Sequence, residues 1–259
     1  YPDKLSAFVG YARSLADEEP VEQLAAWFSA MHKFPQSALA RDGFDQALSR
    51  FDRAHQAYTE LLRFREQASP ELLDQIEHGL GMVAFREKRL SDAIAHFEHA
   101  LLSNPARQSA RLKLVEALFA QGSYRSMVNE GLVLLTDPPP SEIPPYALLV
   151  TSALRCSRES VATHVLNEFC HHIRRDARKA NQRTGEIVGA FAQCSAIDLL
   201  LQALQESQTV NEKNPDLAWL QVSALVAAGY QRQAAQYCAK LRDIYPEKTQ
   251  FLRQHARLL

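Results

Sequence analysis

Glycine is scarce in this chain: there are nine in 259 residues, about half the ordinary usage of roughly 7%. β-Branched residues are also few, with 13 Val, 7 Ile and 7 Thr, too few for the strands of a sheet protein. A dinucleotide or phosphate fold needs glycines clustered beside a strand, and no Gly-x-Gly-x-x-Gly, phosphate loop or Gly-x-Ser-x-Gly elbow is present. Charge of one sign is missing too: 29 basic and 30 acidic residues leave a net −1, which excludes a global bias toward nucleic acid. No apolar run approaches the 18 or so residues of a membrane helix. The four cysteines, at 156, 170, 194 and 238, are far apart in apolar stretches and read as small hydrophobes rather than a disulfide framework. What the chain does have is 34 Leu and 37 Ala, more than a quarter of its residues, and both are strong helix formers. The expected class is all-α.

A repeat runs through the sequence. Ser69-Pro70-Glu71 reads as a helix start. After a break at Lys88-Arg89, a second helix carries Leu90, Ala93, Ile94, Phe97, Ala100 and Leu101 on one face and ends at Asn104-Pro105. With Ala93 as reference, equivalent positions fall at Met127, Ala162, Ala196 and Ala234. Four residues further come Phe97, Gly131, Leu166, Leu200 and Cys238, and seven further Ala100, Leu134, Phe169, Ala203 and Leu241. Gly122 and Gly229 fall in the turns between paired helices. In the first third, helices are expected at 3–17, 20–33 and 43–67, the last with Ala47, Phe51 and Ala54 as a degenerate repeat face. Two linkers are expected, the proline-dense Thr136–Pro145 and the polar Glu206–Pro215, the second holding a four-residue excess in the period. A final amphipathic helix, from about 247, contains Phe251, Leu252 and Leu258.

This helix–turn–helix period, with Leu80, Gly81, Ala93, Phe97, Ala100 and Pro105 at fixed points, resembles the tetratricopeptide repeat (TPR) family over about 74–248. The resemblance implies a right-handed superhelical solenoid of antiparallel helix pairs. Residues 1–68 are then expected to form an irregular helical N-terminal region, and 69–259 the solenoid with its C-terminal capping helix. In the family the first helix of each pair lines a concave groove. Carried onto this chain, that implies partner contacts at His78, Met82, Phe85, Arg86, Leu112, Glu116, Phe119, Arg155, Asn181 and Trp219. The aromatic residues equally fit packing between helices. The carboxylate clamp of chaperone-binding members is not matched: its positions hold His78, Met82, Lys113, Pro144 and Leu148.

Two further constellations stand out. His164, Glu168, His171 and His172 share helical spacing beside Cys170 and are spaced for a divalent metal, but a solvated edge is the simpler reading, and no metal or cofactor is expected. His171, His172, Arg174, Arg175, Arg178, Lys179 and Arg183 form a basic run, read as a solvated helix junction because stacking aromatics are missing. The expectation is a non-catalytic scaffold for a protein or peptide segment, with no nucleic acid and no membrane span. The Arg-, Ala- and Gln-rich composition has a bacterial character, and in bacteria the resemblance to TPR repeats implies envelope assembly, secretion or polysaccharide export, in the cytoplasm or periplasm. Because the chain starts at Tyr1 without Met, the alternative is a regulatory or partner-binding domain of a larger enzyme or transcription regulator, with other domains of the same protein as partners. An unrecognised helical enzyme would instead show a deep pocket with convergent ionisable groups.

Overall fold

The structure, a computed structural model, describes residues 2–15, 20–136, 144–206 and 213–258. Every regular element among them is helical. The chain falls into two compact units, Tyr1–Ser123 and Tyr124–Leu259, so the expected 68/69 boundary lies inside the first.

The first unit contains α1 (Pro2–Ser14), α2 (Pro20–Lys33), α3 (Ala38–Arg50), α4 (Ala54–Gln67), α5 (Leu73–Arg86), α6 (Leu90–Ser103) and α7 (Gln108–Gln121). Helix α5 packs against α3, α4, α6 and α7. Thus α3, α5 and α7 lie side by side as one layer, with α4 and α6 behind them. The α5–α6 hairpin is closed by Gly81: a Cβ there would meet the Phe97 ring at 2.5 Å, so only glycine admits the ring.

The second unit contains α8 (Tyr124–Thr136), α9 (Pro144–Arg155), α10 (Glu159–Arg175), α11 (Ala177–Gln182), α12 (Thr184–Gln193), α13 (Ile197–Gln205), α14 (Pro215–Ala227), α15 (Gln231–Ile244) and α16 (Thr249–Leu258). Successive helices pair as α9–α10, α12–α13 and α14–α15. Helix α16 closes the row on α15, burying Phe251 between Trp219 and Tyr245.

One turn recurs through both units. Lys88, Gly122, Ser157, Ser195 and Gly229 all have positive φ, from 55° to 84°. Each follows the first helix of a pair. At each, the next residue's N–H reaches back five residues to a helix carbonyl: Arg89 to Ala84, Ser123 to Leu118, Arg158 to Ala153, Ala196 to Phe191 and Tyr230 to Leu225. The positive-φ residue itself donates three residues back. This is the Schellman stop, repeated at intervals of 34, 35, 38 and 34 residues.

The turns correct the repeat register. Counting five residues past each turn gives Ala93, Met127, Ala162, Leu200 and Ala234. The fourth equivalent is therefore Leu200, not Ala196, which precedes α13. The four extra residues lie before that turn, where α10 runs to 17 residues and the next first-helix is broken into α11 and α12. They do not lie in the Glu206–Pro215 linker. A shift of four residues keeps the same helix face, so Ala196, Leu200 and Ala203 are buried in either register.

The first third is also corrected. The expected helix 43–67 is two helices broken at 51–53, so Ala47, Phe51 and Ala54 straddle the break. The buried face of α4 is instead Ala57, Leu61 and Phe64. Phe64 meets Phe44 edge-on and stacks on Phe28 at 4.3 Å. Ser69 makes no side-chain cap bond, and a short 3-10 turn, Pro70–Leu72, leads into α5. Residues 137–143 and 207–212, the bulk of both expected linkers, lie outside the described residues. Pro144 and Pro145 open α9, where a proline's missing N–H costs nothing.

Candidate partner-binding face

Helices α5 and α7 are neighbours in the front layer, and residues 34 apart occupy matching places on them. His78 corresponds to Leu112, Met82 to Glu116 and Phe85 to Phe119. His78 and Leu112 are buried. Met82, Phe85, Glu116 and Phe119 are half-buried, and Arg86 is exposed. The partly open stripe of this unit is therefore Met82, Phe85 and Phe119, edged by Arg86 and Glu116. Lys113 Nζ donates to Glu116 Oε2 at 2.7 Å, so the one lysine at a clamp position is already paired with a carboxylate.

Arg155, Asn181 and Trp219 belong to the second unit. Arg155 is exposed, donates to the Tyr124 hydroxyl and lies over its ring at 4.7 Å. Asn181 Nδ2 donates to Asp216 Oδ1 at 2.7 Å, bridging α11 and α14. Trp219 is half-buried, with its ring edge against Phe251 at 6.0 Å. Asn181 thus ties helices together, while Arg155 and Trp219 keep surface toward solvent.

Behind the α5 stripe lies a charged ladder that sequence reading missed. Arg41, Asp74 and Arg107 are spaced 33 residues apart, at the starts of α3, α5 and α7. Asp74 is 3% exposed. It accepts from Arg107 at 2.8 Å, Asn104 at 3.1 Å and Arg41 at 3.3 Å. Arg107 also donates to Gln75 Oε1 at 2.9 Å, and Gln75 donates to Asp45 at 2.6 Å. Burial opposes ionisation of Asp74, but the hydrogen bonds from Arg107 and Asn104 and the charges of Arg107 and Arg41 outweigh it. Its carboxyl is held below the usual range.

His78 sits at the foot of this ladder. Its Nδ1 faces Arg107 at 3.5 Å and its Nε2 is buried without a partner. Burial, with the charges of Arg107 and Lys113 behind it, pushes its pKa down to about 3, so the imidazole is neutral at physiological pH. Its role in this structure is inside the helix stack. A sequence scan had no signal for the ladder except its 33-residue spacing, because single charges at helix starts usually face water.

The remaining sequence candidates separate in space or turn inward. His164, Glu168 and His171 are exposed along α10, whereas Cys170 is buried. Burial pushes the Cys170 and Cys238 thiols up to about 11, which leaves them protonated and poor nucleophiles. In the basic run, Arg183 is paired with Glu186 at 2.6 Å and His172 stacks on Tyr146. A concavity of about 830 Å³ in the first unit has Phe8, Phe28 and Phe64 on its floor, with Lys33 and Arg63 at its rim. Its lining comes from α1, α2 and α4.

No family model and no curated protein sequence matches the chain. Solved structures resemble it at low identity. A chain in the structure of Naa15/Naa10 bound to HypK-THB has TM-score 0.45 and 15% identity over 98% of this chain, which spans 39% of that chain's length. A TPR protein from Parabacteroides merdae has TM-score 0.48 and 12% identity, covering 99% of each chain. YrrB, described as a TPR protein with an unusual peptide-binding site, has TM-score 0.39 and 17% identity over 78% of this chain and 98% of its own. All three TM-scores lie below 0.5, and the fold stands on the packing described above. Helix hairpins of about 34 residues, a repeated Schellman turn and two helix layers make the architecture TPR-like.

Proposed function

We propose that this chain is a non-catalytic scaffold that binds an extended peptide or a helix of a partner protein across the front layer of helices. The observation that carries the reading is the partly open stripe of Met82, Phe85 and Phe119 on adjacent helices α5 and α7. Aromatic anchors with a few charges at the edge suit peptide recognition, where a small number of large side chains supply most of the affinity. Arg86 is the exposed charge at the edge, whereas Glu116 is already paired with Lys113. Within the second unit, Arg155 and Trp219, which keep surface toward solvent, are proposed as partner contacts in their own right. Among the described residues no helix is long and apolar enough to cross a membrane. A setting in bacterial envelope assembly, secretion or polysaccharide export belongs to the same proposal and rests on the composition together with the resemblance to TPR repeats.

The test is selection of peptides from a displayed random library on the purified chain, followed by binding measurements on synthetic copies. Phe85→Ala with Phe119→Ala is expected to weaken the selected peptides at least tenfold while the circular dichroism spectrum stays helical. Unchanged affinity in a folded double variant overturns the proposal.

A further inference from the structure

The structure brings a glutamate of α5 together with two histidines of the next helix, α6. Glu77 is on α5, and His96 and His99 are one turn apart on α6. Their ligand atoms all lie within 4.8 Å of one another, the one such group among the described residues. His96 Nδ1 is 2.7 Å and His99 Nδ1 3.9 Å from Glu77 Oε2. A tetrahedral ion with bonds of about 2.0–2.1 Å needs ligand–ligand edges of roughly 3.3–3.4 Å. The two observed separations bracket that value and the edge between the two histidines lies within 4.8 Å, so the side chains would close by at most about 1.4 Å to hold an ion.

The surroundings have the features of a supported site. Metal-bound imidazoles ordinarily use their second nitrogen in a hydrogen bond that fixes tautomer and ring orientation. Here His96 Nε2 is 2.8 Å from the Tyr58 hydroxyl on α4, and Arg89 lies over the Tyr58 ring at 4.2 Å. Glu77, 4% exposed at its side chain, gives its Oε1 to Arg65 at 2.7 Å and keeps Oε2 for the histidines. His99 is 51% exposed and opens the cluster to solvent, leaving a position for water or a further ligand. Arg65 is a cation against the cluster, and its charge lowers affinity without occupying the ligand oxygen.

We propose that Glu77, His96 and His99 bind a divalent transition-metal ion of the zinc class. Two imidazoles and one carboxylate suit such an ion and are a poor match for calcium or magnesium, which take oxygen ligands. The ion would pin α5 to α6, within the hairpin whose front helix carries the proposed binding stripe. It does not depend on that stripe having a partner. This placement differs from the His164–His172 cluster that sequence spacing brings forward, of which His164, Glu168 and His171 lie along the exposed side of one helix.

The test is titration of the chelator-stripped full chain with Zn²⁺ by calorimetry, and with Co²⁺ by visible absorption. One ion per chain is expected, with a rise in thermal midpoint. His99→Ala removes an exposed side chain, so it should keep the apo thermal midpoint yet weaken Zn²⁺ at least tenfold. Tyr58→Phe, which keeps the ring under Arg89, should weaken it about tenfold. His164→Ala with His171→Ala should leave binding unchanged. Equal Zn²⁺ affinity in wild type and folded His99→Ala overturns the proposal, as does absence of one-to-one binding in the wild type.

Discussion

His78 shows how burial changes what a residue can do. Its place in the repeat implied a partner contact, but the imidazole is buried against Arg107, with a pKa near 3 in the folded chain against 6.5 for the free side chain. Between those values the unfolded chain binds a proton that the folded chain refuses, so stability falls as pH falls through that window. The slope approaches about 1.4 kcal/mol per pH unit. Asp74 acts in the same direction lower down. Its folded pKa lies below 3.8, so its contribution is complete above that value and is lost beneath it. Between pH 4.5 and 6 Asp74 stays ionised, and Asp45, whose carboxyl burial raises above its usual range, works in the opposite direction, so His78 is read from the difference between wild type and variant. Urea denaturation across that range should show the steep loss in wild type and a much flatter profile in His78→Gln. An equal slope in both would contradict the buried neutral imidazole. The sequence could not reveal this, because an isolated His on a helix carries no sign of what lies above it.

At the scale of elements, the helix-B faces were legible and the turns were only half so. Ala93, Phe97, Ala100, Met127, Leu134, Ala162, Phe169 and Leu241 were read as core from their period alone, and all are buried. Gly122 and Gly229 marked two turns, but Lys88, Ser157 and Ser195 adopt the same left-handed geometry without glycine. Nothing in their side chains announces it. The register slip at Ala196 and the misplaced break near Phe51 share a cause. Helical spacing defines a face, and a face continues past a break or a four-residue shift. The turns themselves give the prediction at this scale. A left-handed residue other than glycine costs roughly 1 kcal/mol, and a Cβ at Gly122 would meet nothing within 4 Å. Lys88→Gly should raise the unfolding free energy by about 0.5–1 kcal/mol, and Gly122→Ala should lower it by about 1 kcal/mol. Opposite signs, read from chemical denaturation, support the shared turn. Equal signs contradict it.

For the molecule as a whole, composition alone was enough to indicate helices, and the 34-residue period to indicate stacked pairs. The division into units at Ser123 and Tyr124 was not legible, because the period runs through it without a change of spacing. The binding face was legible as positions and not as surface. Of the candidates on α5 and α7, His78 and Leu112 are buried in packing, while Met82, Phe85 and Phe119 keep an open edge. The central claim is that the front layer, α5 with α7, receives a partner segment while α4 and α6 serve as its support. Amide hydrogen exchange on the full chain, with and without a peptide selected on it, tests that claim most directly. Slowed exchange centred on residues 78–86 and 112–119, with α4 unchanged, is the result predicted. Protection centred on α4 and α6, with none on α5 and α7, would contradict it.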